Sequence, residues 1–267
     1  MAPRPTRSLR HEYELFVEQE IENYKESVPR SVLLSIGDDA VAVLATQQQL
    51  ALTELLLCEE VDRIIFKRLR LPGYTTWRKR RVQLIEELRR PEHWGLTRDH
   101  ALVRAFPSHA DGHVLVADDD VASLYLAANG CDVTITGEAE TVERVMQAAI
   151  GAGLGQRMHP QVGDLSTWTP RSPLSAVVVS PAALEGLSAD ERARVIEALQ
   201  TATMDGGVHL VHVLAASAKG DARGTISLDE LRSRYRGWSV TVERGEIDPS
   251  HDGSGRGKTF LARKGAA

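Results

Sequence analysis

His113-Val-Leu-Val-Ala117, then Asp118-Asp119-Asp120, then Val121 to Asn129 closed by Gly130, then Asp132-Val-Thr-Ile-Thr136 read in succession as strand, loop, helix and strand. The run from 113 to 117 lacks the polar alternation of a half-exposed strand and suits one buried on both faces of a parallel sheet. Two parallel strands need a crossover, which the helix supplies. Working outward, Glu140 to Ala152 reads as a helix, Arg157 to Val162 as a third strand and Ala176-Val-Val-Val-Ser180 as a fourth. Ser188-Ala-Asp-Glu191 has the spacing of a capping box and opens a helix to about Thr203. Gly206-Gly207 leads into a fifth strand, Val208 to Val213. A short helix over Leu228 to Tyr235 precedes Trp238 to Arg244 and Lys258 to Arg263, which have no helix between them and should pair antiparallel. Such alternation calls for right-handed crossovers and a sheet covered on both faces.

Upstream, residues 11 to about 90 read as helices only. Leu15, Phe16, Ile21, Tyr24 and Val28 form one apolar stripe, ended by Pro29. Ser31 is placed to cap a second helix carrying Ile36, Val41 and Leu44. A third runs from about Gln49 to Arg70 and stops at Pro72-Gly73, and a fourth from about Thr75 to Arg90. Two domains follow: residues 1–95, helical, and residues 96–267, α/β.

Bulk properties narrow the classes. The 267 residues are 42% hydrophobic and 26% charged, ordinary for a globular chain. A net charge of -5 gives no global attraction to nucleic acid or membrane. No apolar run approaches the roughly 18 residues of a membrane span. Cys58 and Cys131 lie in different expected elements, so neither a disulfide framework nor a thiolate metal site is expected, and a cytoplasmic location fits.

In order and spacing, residues 110 to 265 resemble the class I AdoMet-dependent methyltransferases. The stretches that carry the likeness are Val162-Gly-Asp164-Leu165, Ser175-Ala-Val-Val-Val-Ser180, Leu187-Ser-Ala-Asp-Glu-Arg192 and Gly206-Gly207. The resemblance implies a Rossmann-like seven-stranded sheet, with an antiparallel seventh strand inserted beside the fifth. It implies S-adenosyl-L-methionine (AdoMet) as cofactor, with Asp164, beside Leu165, at the adenine amino group. Ser180, at the end of the fourth strand, would face the transferred methyl. The family's glycine-rich loop after the first strand here reads Ala117-Asp-Asp-Asp-Val-Ala-Ser123, without a glycine. The acidic residue that closes the second strand is here Gly137, with Glu138 next to it as the carboxylate that would reach the ribose. Asp118 and Asp119 would lie near the methionine moiety and meet its ammonium or sulfonium charge. Read without the family, the triple aspartate caps the following helix, and Gly163-Asp164 is a turn.

His209 and His212 stand three apart on one strand, so they face opposite sides and cannot share a metal. No metal site is expected and no general base stands out. Arg78-Lys-Arg-Arg81 and its neighbours, interleaved with Tyr74 and Trp77, could serve nucleic acid or dock against acidic helices. Three functions are therefore carried forward: methyl transfer from AdoMet to a small-molecule acceptor, a catalytically inactive relative acting in ligand sensing or assembly, and nucleic-acid binding through residues 67–90. Self-association through the helical region is the expected oligomeric partner.

Overall fold

The computed structural model describes residues 8–46, 54–106, 112–170, 172–184, 187–214, 226–245 and 257–265. The chain divides into two compact units, Met1–Leu84 and Ile85–Ala267. The first holds α1 (Leu9–Ser27), α2 (Arg30–Ala45), α3 (Glu54–Leu69) and most of α4 (Tyr74–Leu88). Ile21, Ile36 and Ile65 are its buried centre, one from each of the first three helices. The expected cap at Ser31 is corrected: α2 begins at Arg30, and Pro29 is its N-cap. Proline fixes φ near the required value, and its carbonyl accepts from Val32 N at 2.9 Å, so the ladder starts one residue earlier. The expected start of the third helix at Gln49 lies outside the described residues.

The second unit is a seven-stranded sheet: β1 (His113–Ala117), β2 (Asp132–Gly137), β3 (Met158–Val162), β4 (Leu174–Val179), β5 (Thr203–Leu214), β6 (Ser239–Gly245) and β7 (Gly257–Arg263). Their order is β3-β2-β1-β4-β5-β7-β6. The first five run parallel, while β7 is antiparallel to both β5 and β6. The expected antiparallel pair is thus present, with β7 on its inner side. β5 starts before the expected Val208, and its register against β4 shifts between Leu174 and Ala176.

Strand side chains alternate, so each face has its own core. Val114, Val116, Ile135, Val178 and Leu210 pack under α5 (Ala101–Ala105), α6 (Asp120–Ala128) and α7 (Ala139–Gly151). Leu115, Val177, Val179 and Val211 pack under α8 (Ala189–Ala202) and α9 (Leu228–Arg234). Trp94 joins the first core and donates from Nε1 to the Leu88 carbonyl at 2.7 Å. Cys58 is exposed and Cys131 buried, and no disulfide joins them. Among the described residues no helix is long and apolar enough to cross a membrane.

Candidate cofactor cleft at the strand ends

The carboxyl ends of β1, β2 and β3 open into a cleft of about 480 Å3. Ligands of open α/β sheets bind at such ends, where the strand order reverses. Here the reversal falls between β1 and β4. Asp118, Glu138, Asp164 and Leu165 all line the cleft, with Gly137, Gly163, Ala183 and Leu187 among the remaining wall. Asp119 and Ser180 are not in its wall. A groove of about 600 Å3 along the C-terminal half of α8 lies toward the strands' amino ends and has no converging carboxylates.

The three consecutive aspartates have three tasks. Asp119 is the N-cap of α6, its Oδ1 accepting from Ala122 N at 2.8 Å. Asp120 accepts from Arg144 Nε and Nη2 at 2.9 and 2.7 Å, joining α6 to α7. Asp118 alone turns into the cleft. Its φ of 52° places it in the left-handed region, which is uncommon outside glycine and better tolerated by aspartate. Its amide donates to the Thr136 carbonyl at 3.0 Å, so the turn is held to the end of β2.

That turn sends the Asp118 carboxylate over Gly137. A Cβ built on Gly137 would overlap Asp118 Oδ1, so the two positions are interlocked. The site still presents a carboxylate above the end of β2, but β1 supplies it. Burial raises the Asp118 pKa, the charge of Glu138 raises it further, and a hydrogen bond from the Glu138 amide opposes both.

Gly163 donates to the Gly137 carbonyl at 3.0 Å, which ties the ends of β2 and β3 together. Asp164 then closes a turn, its Oδ1 accepting from Ser166 N at 2.8 Å and Thr167 N at 3.2 Å. The Ser166 hydroxyl and these amides hold the carboxyl below its ordinary pKa. The turn reading and the cleft position are both realised. Leu165 points inward and is buried in the second core. The far wall is set by the capping box: Ser188 N donates to Glu191 Oε2 at 2.8 Å, and buried Arg192 holds the Leu187 carbonyl at 2.7 Å. Ser180 is buried, and its amide donates to the Ala117 carbonyl at 3.0 Å, fastening β4 to β1 just behind Asp118.

Sequence reasoning missed the wall residues Gly163, Ala183 and Leu187; a glycine directly after a strand end was the available signal for the first. Among the described residues no group of three or more metal-ligating side chains exists.

No protein-family model matches the sequence, and no curated protein matches it. Among solved structures it is similar to TehB from Haemophilus influenzae, with a TM-score of 0.52 at 18% identity over 65% of this chain and 65% of that one. This chain therefore spans just under two thirds of TehB. The fold is that of the class I AdoMet-dependent methyltransferases. A SAM-dependent methyltransferase from Methanosarcina mazei is also similar, at 16% identity and TM-score 0.49, over 63% of this chain and 99% of that one. So is the glycopeptide N-methyltransferase MtfA, at 15% identity and TM-score 0.48, over 60% and 86%. Within this methyltransferase fold the cleft occupies the carboxyl ends of β1 to β3, and the loop after β1 runs without glycine.

Proposed function

We propose that the chain binds AdoMet in this cleft and transfers its methyl group to a small-molecule acceptor. The observation that carries the reading is the charge of the cleft: Asp118, Glu138 and Asp164 converge there, and among the described residues no Lys or Arg stands in its wall. AdoMet carries a sulfonium and an ammonium, and its ribose hydroxyls and adenine amino group are donors, so ionised carboxylates meet it at each point. A nucleotide phosphate would be repelled. The usual anion seat at the N-terminus of the first crossover helix is already taken by the chain's own Asp119.

In this reading Asp118, reaching over Gly137, holds the ribose hydroxyls together with Glu138. Asp164 takes the adenine amino group, while Ala183 and Leu187 give the base an apolar bed. AdoMet supplies an electrophilic methyl carbon; the protein's task is to orient the acceptor in line with it and to exclude water.

The glycine-free loop favours one second reading, a protein that senses AdoMet without turning it over. The two part on whether acceptors are methylated. Nothing comparable favours nucleic acid: Tyr74 and Trp77 both pack on Tyr13, at 5.5 Å between ring centroids, and Arg81 pairs with Glu12 at 3.3 Å.

Ligand-dependent melting tests the reading. AdoMet and its demethylated product at a hundred times their Kd should each add about 2.7 kcal/mol of stability, and ATP should add none. Equal stabilisation by ATP, or none by AdoMet, would overturn it.

A further inference from the structure

The charge of the first unit is sorted by helix. On α1, Glu14, Glu18, Glu22 and Glu26 are exposed and stand four apart, so they form one ridge. Glu14 is paired with Arg10 at 3.0 Å and Glu22 with Lys25 at 2.8 Å, both within the helix. Among the described residues Glu18 and Glu26 enter no ion pair. On α4 the sign reverses. Arg78, Lys79 and Arg80 follow one another, all exposed, and likewise enter no ion pair among the described residues.

Neither row is explained by its own helix or by the contact between the two. Like charges four apart on a helix repel. The macrodipole of α4 favours acids in the first turn and bases in the last, and α4 has neither. Where α1 and α4 meet, Tyr13 packs on Tyr74 and Trp77, each at 5.5 Å between centroids, and Arg81 pairs with Glu12 at 3.3 Å. That contact leaves both rows facing solvent. Trp77, Arg80 and Leu84, spaced three and four apart, lie along one side of α4. Trp77 is half-buried and Leu84 is 41% exposed, so an apolar strip runs beside the cations.

We propose that this surface binds a second copy of the chain. Arg78, Lys79 and Arg80 on α4 of one protomer lie against the glutamate ridge on α1 of its partner, with Trp77 and Leu84 as the apolar part of the contact. Charge complementarity selects the occupant, because the chain itself carries both halves of the match. A two-fold axis makes the same contact twice, once in each direction. Trp and Arg are among the residue types that carry most of the energy of protein interfaces. The net charge of -5 repels two copies at a distance, but salt screens that repulsion beyond about 10 Å at 0.1 M, whereas the matched rows act at contact. The inference is independent of the cleft and of what it binds.

Sedimentation equilibrium of the whole chain tests this first without any substitution. A monomer–dimer equilibrium is expected at micromolar concentration in about 0.1 M NaCl. In about 1 M NaCl, where the screening length falls to about 3 Å, the dimer Kd should rise about tenfold or more. Charge reversal then locates the contact. Arg78→Glu with Arg80→Glu, and separately Glu18→Lys with Glu22→Lys, should each give a monomer that melts as the parent monomer does in high salt. Mixed in equal amounts, the two reversed chains should form a heterodimer, because each presents the charge that the other has lost. A parent chain that stays monomeric throughout the micromolar range overturns the proposal. So does a dimer indifferent to salt and to both reversals, or a mixture of the two reversed chains that stays monomeric.

Discussion

Asp118 and Gly137 exchange what their positions would ordinarily hold: a side chain where the backbone is left-handed, and no side chain where the neighbouring carboxylate lies. Three variants check this interlock. Gly137→Asp alone forces its Cβ into Asp118 and should destabilise the protein by about 1–3 kcal/mol, the range of overpacking. Asp118→Gly alone relieves the backbone but removes the carboxylate, so AdoMet affinity should fall while the melting temperature holds or rises. The double variant Asp118→Gly/Gly137→Asp restores a carboxylate above β2 and should recover affinity; calorimetry of the three decides. Protonation is the second test at this scale. Because the Asp118 pKa is raised, AdoMet binding should weaken on acidification at higher pH than an ordinary carboxyl near 3.8 would dictate. Affinity measured from pH 7 to pH 4 gives that midpoint. Glu138 and Asp164 were legible as candidates because they sit directly after strands, where local order predicts position. The role of Gly137 was not, since it depends on a side chain from the neighbouring strand.

β5 shows how one strand serves two environments. His212 stands on one face, with Nδ1 3.2 Å from Thr259 Oγ1, and His209, on the opposite face, is fully buried. The Thr203 hydroxyl gives its one hydrogen to the Leu199 carbonyl at 2.7 Å, so it accepts from His209 Nε2 at 2.7 Å. His209 Nδ1 therefore accepts from the Tyr235 hydroxyl, also at 2.7 Å. Tyr235→Phe strands that nitrogen and should cost about 1–3 kcal/mol in a denaturant titration. Burial pushes the His209 pKa down to about 3. The unfolded chain, with an imidazole near 6.5, binds this proton more tightly, so the stability it contributes is complete above that value and is lost as pH falls toward 3. The slope is at most about 1.4 kcal/mol per pH unit, and melting below pH 6 should be shallower in His209→Leu. The central strands β1 and β4 were readable because buried parallel strands are mostly apolar runs, and the helices carry capping signals such as Ser188 to Glu191. The start of β5 was not, because residues 204–207 have no apolar pattern; Thr203 pairs with Leu174, and Gly206 and Gly207 exchange backbone hydrogen bonds with Lys264.

At the scale of the molecule, every buried residue of the two sheet cores comes from Leu88 or later. A chain shortened to residues 74–267 keeps all of α4 and should melt cooperatively with AdoMet affinity unchanged; loss of cooperative melting would show that the helical unit is needed for the sheet to fold. The distribution of charge also has a functional consequence. The net charge of -5 is unremarkable, yet three carboxylates meet in one cleft with no cation among the described residues of its wall. The Glu138 charge already raises the Asp118 pKa, and a cationic, donor-rich ligand would relieve that repulsion, which is the central claim. Calorimetric titration of the whole chain with AdoMet tests it most directly. The account predicts binding at micromolar strength that weakens in Asp118→Gly and in Asp164→Ala; no heat at millimolar AdoMet, or affinity indifferent to both substitutions, would contradict it.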